Sequence, residues 1–275
     1  VVSLVFGNFT TSGRRRPDVR VCSGARRALV AAAAALLAVG TASAATCPRP
    51  GTLGTARVME VAIGADGLFV GTKSYPQSLP LGDHEVILTF DDGPAGRTTE
   101  SVLATLAADC IRATFFVVGE MAVAHPDQLR AIAAAGHTIG THSMTHPVMT
   151  RIPHTQAVAD IDRGRATVDR ILADAGTTAA PFFRFPGFAA TKPLEAKLTA
   201  ERIGVFGADF WGSDWLKSTP DELLERTLSR LETARKGILL LHDTQPHTAA
   251  MLPRLIAEMK ARGYRVVHMV PAAKG

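Results

Sequence analysis

The chain has 275 residues, enough for one large domain or two small ones, and its 47% hydrophobic and 20% charged residues are those of an ordinary globular protein. Its formal net charge of +5 resides wholly in residues 1–45, which hold six arginines and one acid; the remainder, with 24 basic and 24 acidic residues, is neutral. That balance excludes a broad basic surface for nucleic acid or an anionic membrane as the basis of function.

The first 45 residues read as an over-extended start followed by an export signal. Arg26-Arg27 forms a basic segment, Ala28 to Val39 an apolar stretch too short to span a bilayer comfortably, and Ala42-Ser43-Ala44 fits cleavage before Ala45. The expected location is therefore periplasmic or secreted, with no stable membrane insertion after cleavage; a retained N-terminal anchor is the alternative. Cys22 leaves with the leader, so Cys47 and Cys110 remain. In an oxidising compartment these two either pair, tying the N-terminal extension to the body, or stay free, with Cys110 buried and inert.

Residues 46–80 are rich in Gly, Pro, Thr and Ser, with one alternating piece near Arg57 to Ile63, and read as an extension wrapping a domain over 81–275. From Leu81 on, the pattern predicts strands at Val86–Asp91, Ala113–Val118, Thr138–His142, Phe182–Phe185, Gly204–Asp209, Ile238–His242 and Arg265–Met269. Helical periodicity fills 98–108, 127–135, 155–174, 194–201, 220–235 and 248–262. Gly136 and Gly263 close two of these helices, and Thr219-Pro220 with Glu222 starts another. Strand–helix alternation of this length predicts an α/β fold, a parallel sheet of about seven strands closed or nearly closed as an irregular (β/α) barrel.

The chemistry gathers at the predicted strand ends, where such folds place their sites. Glu85-Val86-Ile87-Leu88-Thr89-Phe90-Asp91-Asp92-Gly93-Pro94 is a buried strand that ends in two carboxylates and is stopped by Gly-Pro. Strand alternation predicts that Asp91 and Asp92 point to opposite sides. His142-Ser143-Met144-Thr145-His146-Pro147 spaces two histidines as on one side of a helical turn. With Asp92 they make a three-ligand set that leaves a position open for water. Arg184 stands among aromatics in Phe182–Phe188, needing an anionic partner if buried. Asp209 to Trp215 brings acids and both tryptophans together, which suits a sugar groove or aromatic core packing. Gly237 to Asp243 is a buried strand ending in His242, which taken alone reads as a core histidine.

In this order the five segments resemble the motifs of NodB-like polysaccharide deacetylases, carbohydrate esterase family 4, over about 83–270. The resemblance implies the NodB-homology fold and a role for each matching residue. Asp91 would be the base and Arg184 its holder. Asp92, His142 and His146 would bind one divalent metal ion, zinc first, with Co2+, Ni2+ or Mn2+ as substitutes. His242 would be the general acid, tuned by Asp214, and Leu240 would line the acetyl pocket. Gly187, Phe188 and Trp215 are expected at the substrate. One departure is that Gly187 follows the proline where the family usually has an aromatic, which then comes at Phe188.

The implied activity is removal of N-acetyl groups from N-acetylglucosamine-containing glycans of chitin, chito-oligosaccharide or peptidoglycan type. The sequence does not fix the oligomeric state, and a monomer is the expectation. Removal of O-acetyl groups from xylan or a similar polymer is the alternative within the same chemistry. An inactive glycan-binding relative is the alternative of another class, against which the intact Asp91 and His242 speak. His84, His125, His137, His154, His247 and His268 match no motif and read as structural or surface residues.

Overall fold

The computed structural model describes Cys47 and residues 49–273; the leader read over 1–45 lies outside them. Strands β1 (Thr55–Val61), β2 (Phe69–Val70) and β3 (Glu85–Asp91) precede helix α1 (Arg97–Ala108) and strand β4 (Thr114–Val117). Helices α2 (Gly119–Ala124) and α3 (Pro126–Ala134), strand β5 (Thr138–Thr141) and helix α4 (His154–Ala173) follow. Next come β6 (Phe182–Phe183), α5 (Lys192–Ala200), β7 (Gly204–Phe206), β8 (Phe210–Trp211) and α6 (Pro220–Ala234). The described chain closes with β9 (Gly237–His242), α7 (Pro246–Ala261) and β10 (Arg265–Pro271).

The pairings between these strands are parallel, in the order β1-β10-β3-β4-β5-β6-β7-β2, with β9 lying between β3 and β8. The α/β architecture is the expected one, but the path ends at β1 and β2 without their pairing, so the sheet curves and does not close. All seven strands expected from the sequence form. β2 and β8 escape a reading by periodicity because two residues hold no period, and α2 because six residues starting with glycine carry little helical signal.

Alternation along β3 and β9 divides the interior into two layers. Leu88, Phe90, Leu239 and Leu241 face outward into a core shared with Val102, Leu106, Leu129, Val168, Leu223 and Leu255 of the surrounding helices. Ile87 and Ile238 face inward and meet Phe116, Phe182, Phe206 and Val267. Thr89 and Asp91, on the same inward side as Ile87, rise above that layer toward the strand ends, as do Leu240 and His242. Burying each of those aromatic rings contributes about 1.5–3 kcal/mol, and they form the platform on which the polar residues rest.

The helix starts and stops behave as their residues dictate. Thr219 accepts from the Glu222 N–H at 3.2 Å while the Glu222 carboxylate accepts from the Thr219 N–H at 2.8 Å, a closed capping box with Pro220 in the first turn. Gly136 and Gly263 take φ of 77° and 73° just past α3 and α7.

Residues 46–80 do more than wrap: they supply two edge strands. β2 pairs with β7, and β1 runs beside β10 from Thr55 to Val61. β10 leaves β3 after Val266 and passes beneath β5, where the Thr138 hydroxyl donates to the Met269 carbonyl at 2.7 Å. β1 and β10 thus form a floor under the sheet. A disulfide joins Cys47 to Cys110, at the end of α1, which ties the extension to the body. Among the described residues no helix is long and apolar enough to cross a membrane.

Candidate active site

A cleft of about 370 Å³ opens at the C-terminal ends of the strands. Asp91 and His242, register partners on adjacent β3 and β9, stand side by side at its base. Asp92, His142 and His146 line one side. Gly187, Phe188, Trp211, Trp215 and Leu240 line the rest.

Asp91 is 2% exposed and Arg184 is fully buried. The Arg184 Nη1 donates to Asp91 Oδ1 at 2.6 Å and to Thr89 Oγ1 at 2.9 Å; its Nε and Nη2 donate to the carbonyls of Phe206 and Gly207. The guanidinium also lies over the Phe116 ring at 4.2 Å. Arginine stays protonated in proteins, so the buried cation is compensated by Asp91 and by oxygen acceptors. Burial pushes the Asp91 carboxyl above the ordinary carboxylate range, while Arg184 pulls it down. The result is a fixed carboxylate more basic than a solvated one.

Asp92 departs from the expected opposite orientation. Its backbone takes φ of 74°, past the end of β3, and this left-handed residue turns the side chain back into the cleft beside Asp91. The segment from His142 to His146 also differs: it is an irregular bend, not a helical turn, with Ser143 and His146 at φ of 68° and 55°. Asp160 of α4 holds it, accepting from the N–H groups of Met144 and Thr145 at 2.9 and 3.1 Å and from the Thr145 hydroxyl at 2.8 Å. The two imidazoles nonetheless meet, with ring centroids 4.9 Å apart.

The ligand atoms of Asp92, His142 and His146 all lie within 4.8 Å of one another. Asp92 Oδ1 is 3.5 Å from His142 Nε2 and 3.2 Å from His146 Nε2, yet it is buried without a hydrogen-bond partner. His142 Nδ1–H donates to the Arg184 carbonyl at 2.7 Å, so Nε2 presents its lone pair to Asp92. Burial lowers His142 to about 3 and keeps it in the neutral form that a ligand requires. An orphaned carboxylate oxygen facing two imidazole nitrogens fits a divalent cation.

Across the cleft, His242 Nδ1–H donates to Asp214 Oδ1 at 2.7 Å, leaving Nε2 toward the opening, 3.8 Å from Asp92 Oδ2. Asp214 is fully buried and accepts also from the His242 N–H and the Thr248 hydroxyl, while His247 Nε2 donates to its backbone carbonyl. Burial lowers His242, but the Asp214 bond and charge, with Asp91 and Asp92, overcome this and raise it to about 9. It is a protonated imidazole aimed into the cleft.

Phe188, Trp211, Trp215 and His242 form a continuous aromatic wall, each ring centroid 5.8 Å from the next. Gly187 sits at φ of 56° with open space where a side chain would be, so its backbone faces the cleft unshielded. All eleven site residues expected from the sequence therefore belong to this one region: nine line the cleft, Arg184 lies buried beneath Asp91, and Asp214 lies buried behind His242.

Several supporting residues were not foreseen. Asp160, His247 and Thr248 hold the two histidine-bearing segments. Asp243 is fully buried, accepts from Thr99 at 2.6 Å and lies against Gly93; burial pushes its carboxyl up to about 7. A signal existed for Asp160, an acid on the apolar face of α4 among Ala157, Ile161 and Gly164.

A parallel sheet with a three-ligand cluster, a held carboxylate and a held imidazole at its strand ends is the framework of a hydrolytic α/β site. The family model described as polysaccharide deacetylase matches residues 79–203. Chitooligosaccharide deacetylase of Rhizobium leguminosarum bv. trifolii is 32% identical over 187 residues, which is 66% of this chain and 80% of that protein. Peptidoglycan-N-acetylglucosamine deacetylase PgdA of Listeria monocytogenes is 30% identical over 188 residues; the match takes in 66% of this chain but only 37% of the length of that relative. The solved peptidoglycan deacetylase Bd3279 of Bdellovibrio bacteriovorus matches with a TM-score of 0.71 at 29% identity, covering 82% of this chain and 61% of that one. The chain belongs to the polysaccharide deacetylase family, carbohydrate esterase family 4.

Proposed function

We propose that the protein is an exported, metal-dependent hydrolase that removes N-acetyl groups from N-acetylglucosamine-containing glycans, of chito-oligosaccharide or peptidoglycan type. One observation carries this reading: a held base, Asp91, and a held acid, His242, flank the Asp92, His142 and His146 cluster within a single aromatic-walled cleft. Export is supported by the Cys47–Cys110 disulfide, a bond that persists in oxidising compartments.

An amide carbonyl is a poor electrophile, and water at neutral pH is a poor nucleophile. A divalent ion on Asp92, His142 and His146, with zinc as the first expectation, would supply Lewis acidity for the carbonyl and lower the pKa of a water to about 7. Asp91, oriented by Arg184 and made more basic by burial, takes the proton as the water attacks. The Gly187 N–H is the backbone donor available to the developing oxyanion. His242 then gives its Nε2 proton to the nitrogen as the carbon–nitrogen bond breaks, and Asp214 stabilises the imidazolium until that moment. Leu240 and the aromatic wall shape the space for the acetyl methyl and the sugar face.

Mass spectrometry of acetate loss from chito-oligosaccharides, muropeptides and acetylated xylan tests the proposal. Loss from the N-acetylated glycans is expected. Loss confined to xylan would make the protein an O-acetyl esterase, and binding of glycans without any loss by metal-loaded protein would make it a binding relative.

A further inference from the structure

Trp211 belongs to two clefts. Its ring joins the aromatic wall of the active site, and beyond it a second cleft of about 330 Å³ is lined by Lys73, Asp209, Phe210 and Arg230. Lys73 Nζ lies over the Trp211 ring, 5.4 Å from its centroid. Arg230 donates to the Trp211 carbonyl and to Ser213 Oγ, both at 2.7 Å. Among the described residues neither cation forms an ion pair. The one carboxylate of the cleft, Asp209, is already engaged by the Thr72 N–H at 2.8 Å, the Ser78 hydroxyl at 2.5 Å and the Ile238 N–H at 2.7 Å.

Lys73 is also held in place from its backbone. Its N–H donates to the Ala208 carbonyl at 2.9 Å, and Gly71, at φ of 107°, approaches Gly207 so closely that a side chain there would lie 2.5 Å from the Gly207 carbonyl carbon. The extension thus anchors the Lys73 backbone at the rim of the sugar groove, with the ammonium lying over Trp211.

We propose that the groove continues past Trp211 into an anion-binding subsite on Lys73 and Arg230, which takes a carboxylate carried by a sugar flanking the one that is deacetylated. The substrate class is then an acidic N-acetylated glycan, such as a strand whose alternate sugars bear a lactyl carboxylate, in preference to neutral chito-oligosaccharides. This rests on the deacetylase reading above and narrows it.

The chain's only two tryptophans, Trp211 and Trp215, both line the groove, so intrinsic fluorescence reports binding there without any turnover. The test compares peptide-free peptidoglycan strands with chito-oligosaccharides of equal length, in titrations and in acetate-release assays. Wild type should bind the acidic strands more tightly, and the margin should shrink as salt is raised. Lys73→Gln should weaken acidic binding about two- to fivefold, the range of a single exposed charge pair. Lys73→Glu should weaken it about tenfold, and Lys73→Arg should restore it; neutral glycans should be unaffected by all three. Equal effects on both glycans, or no effect on either, would overturn the subsite. If fluorescence shows the charge preference while neither glycan loses acetate, the subsite stands and the deacetylase reading fails.

Discussion

Asp91 and His242 end adjacent parallel strands at the same level, so the same pleat that turns one into the cleft turns the other. Their division of labour is open to direct measurement. His242→Ala should slow deacetylation of an N-acetylated sugar by about 10²–10⁴-fold, the range of a lost general acid. An activated aryl acetate leaves without protonation, so its hydrolysis should fall far less. Asp91→Asn should impair both substrates, since each needs the attacking water. Equal losses on the two substrates for His242→Ala would show that the roles are misassigned.

The ligand set predicts about one divalent ion per purified chain. His146→Ala should lose metal and activity together, whereas His242→Ala should keep its metal. Gly93→Ala offers a subtler perturbation: a Cβ there would fall 2.0 Å from an Asp243 oxygen, so either the buried Asp243 carboxylate or the backbone that follows Asp92 must shift. Overpacking of this kind costs about 1–3 kcal/mol, and it should appear as a lower melting temperature with weakened metal retention. Metal analysis by mass spectrometry decides each case.

Non-reducing peptide mapping of exported protein should recover the Cys47 and Cys110 peptides linked. The two cysteines are 63 residues apart, and closing such a loop contributes about 4 kcal/mol by the chain-entropy relation. For a domain of this size, reduction should lower the melting temperature by about 10 °C. Two free thiols in oxidised material would refute the bond.

Acid should destabilise the fold through two histidines remote from the cleft. Burial, with the charges of His268 and Arg112, lowers His137 to about 3; burial and Arg112 lower His268 to about 4. The Ala113 N–H donates to His137 Nδ1, and Thr138, whose proton goes to the Met269 carbonyl, accepts from His268 Nε2 while His268 Nδ1 has no partner. Both rings are therefore neutral when folded, whereas in the unfolded chain they take up protons near 6.5. The unfolded state binds more protons below that pH, so this stability is complete above about 6.5 and is lost progressively toward 3–4. Melting temperatures from pH 7 to 4 should fall more steeply for wild type than for His268→Asn, whose amide can still donate to Thr138.

Long apolar runs made the seven expected strands legible, and Asp91, Asp92, His142 and His146 stood out by residue type and spacing. Arg184, Asp214, His242, Leu240, Gly187, Phe188 and Trp215 instead took their expected roles from the family resemblance. Asp91-Asp92-Gly93-Pro94 announces a strand end by composition alone. The conformation of the His142–His146 bend was not legible, because Asp160, fourteen residues beyond His146, determines it from another element. The edge strands were missed or blurred because Phe69-Val70 is too short to show a period and β1 is exposed along much of its length. Lys73 carries no motif. Only the tertiary meeting of the extension with Trp211 gives it a meaning.

The floor made by β1 and β10 bears on how the protein can be cut. A recombinant fragment starting at Leu81 would keep every residue of the catalytic cleft. It would also expose the Val266–Pro271 backbone as an unpaired edge and strip Asp209 of its Thr72 and Ser78 donors. Open strands of that kind recruit other chains, so such a trimmed product is a candidate for insolubility despite an intact set of catalytic side chains.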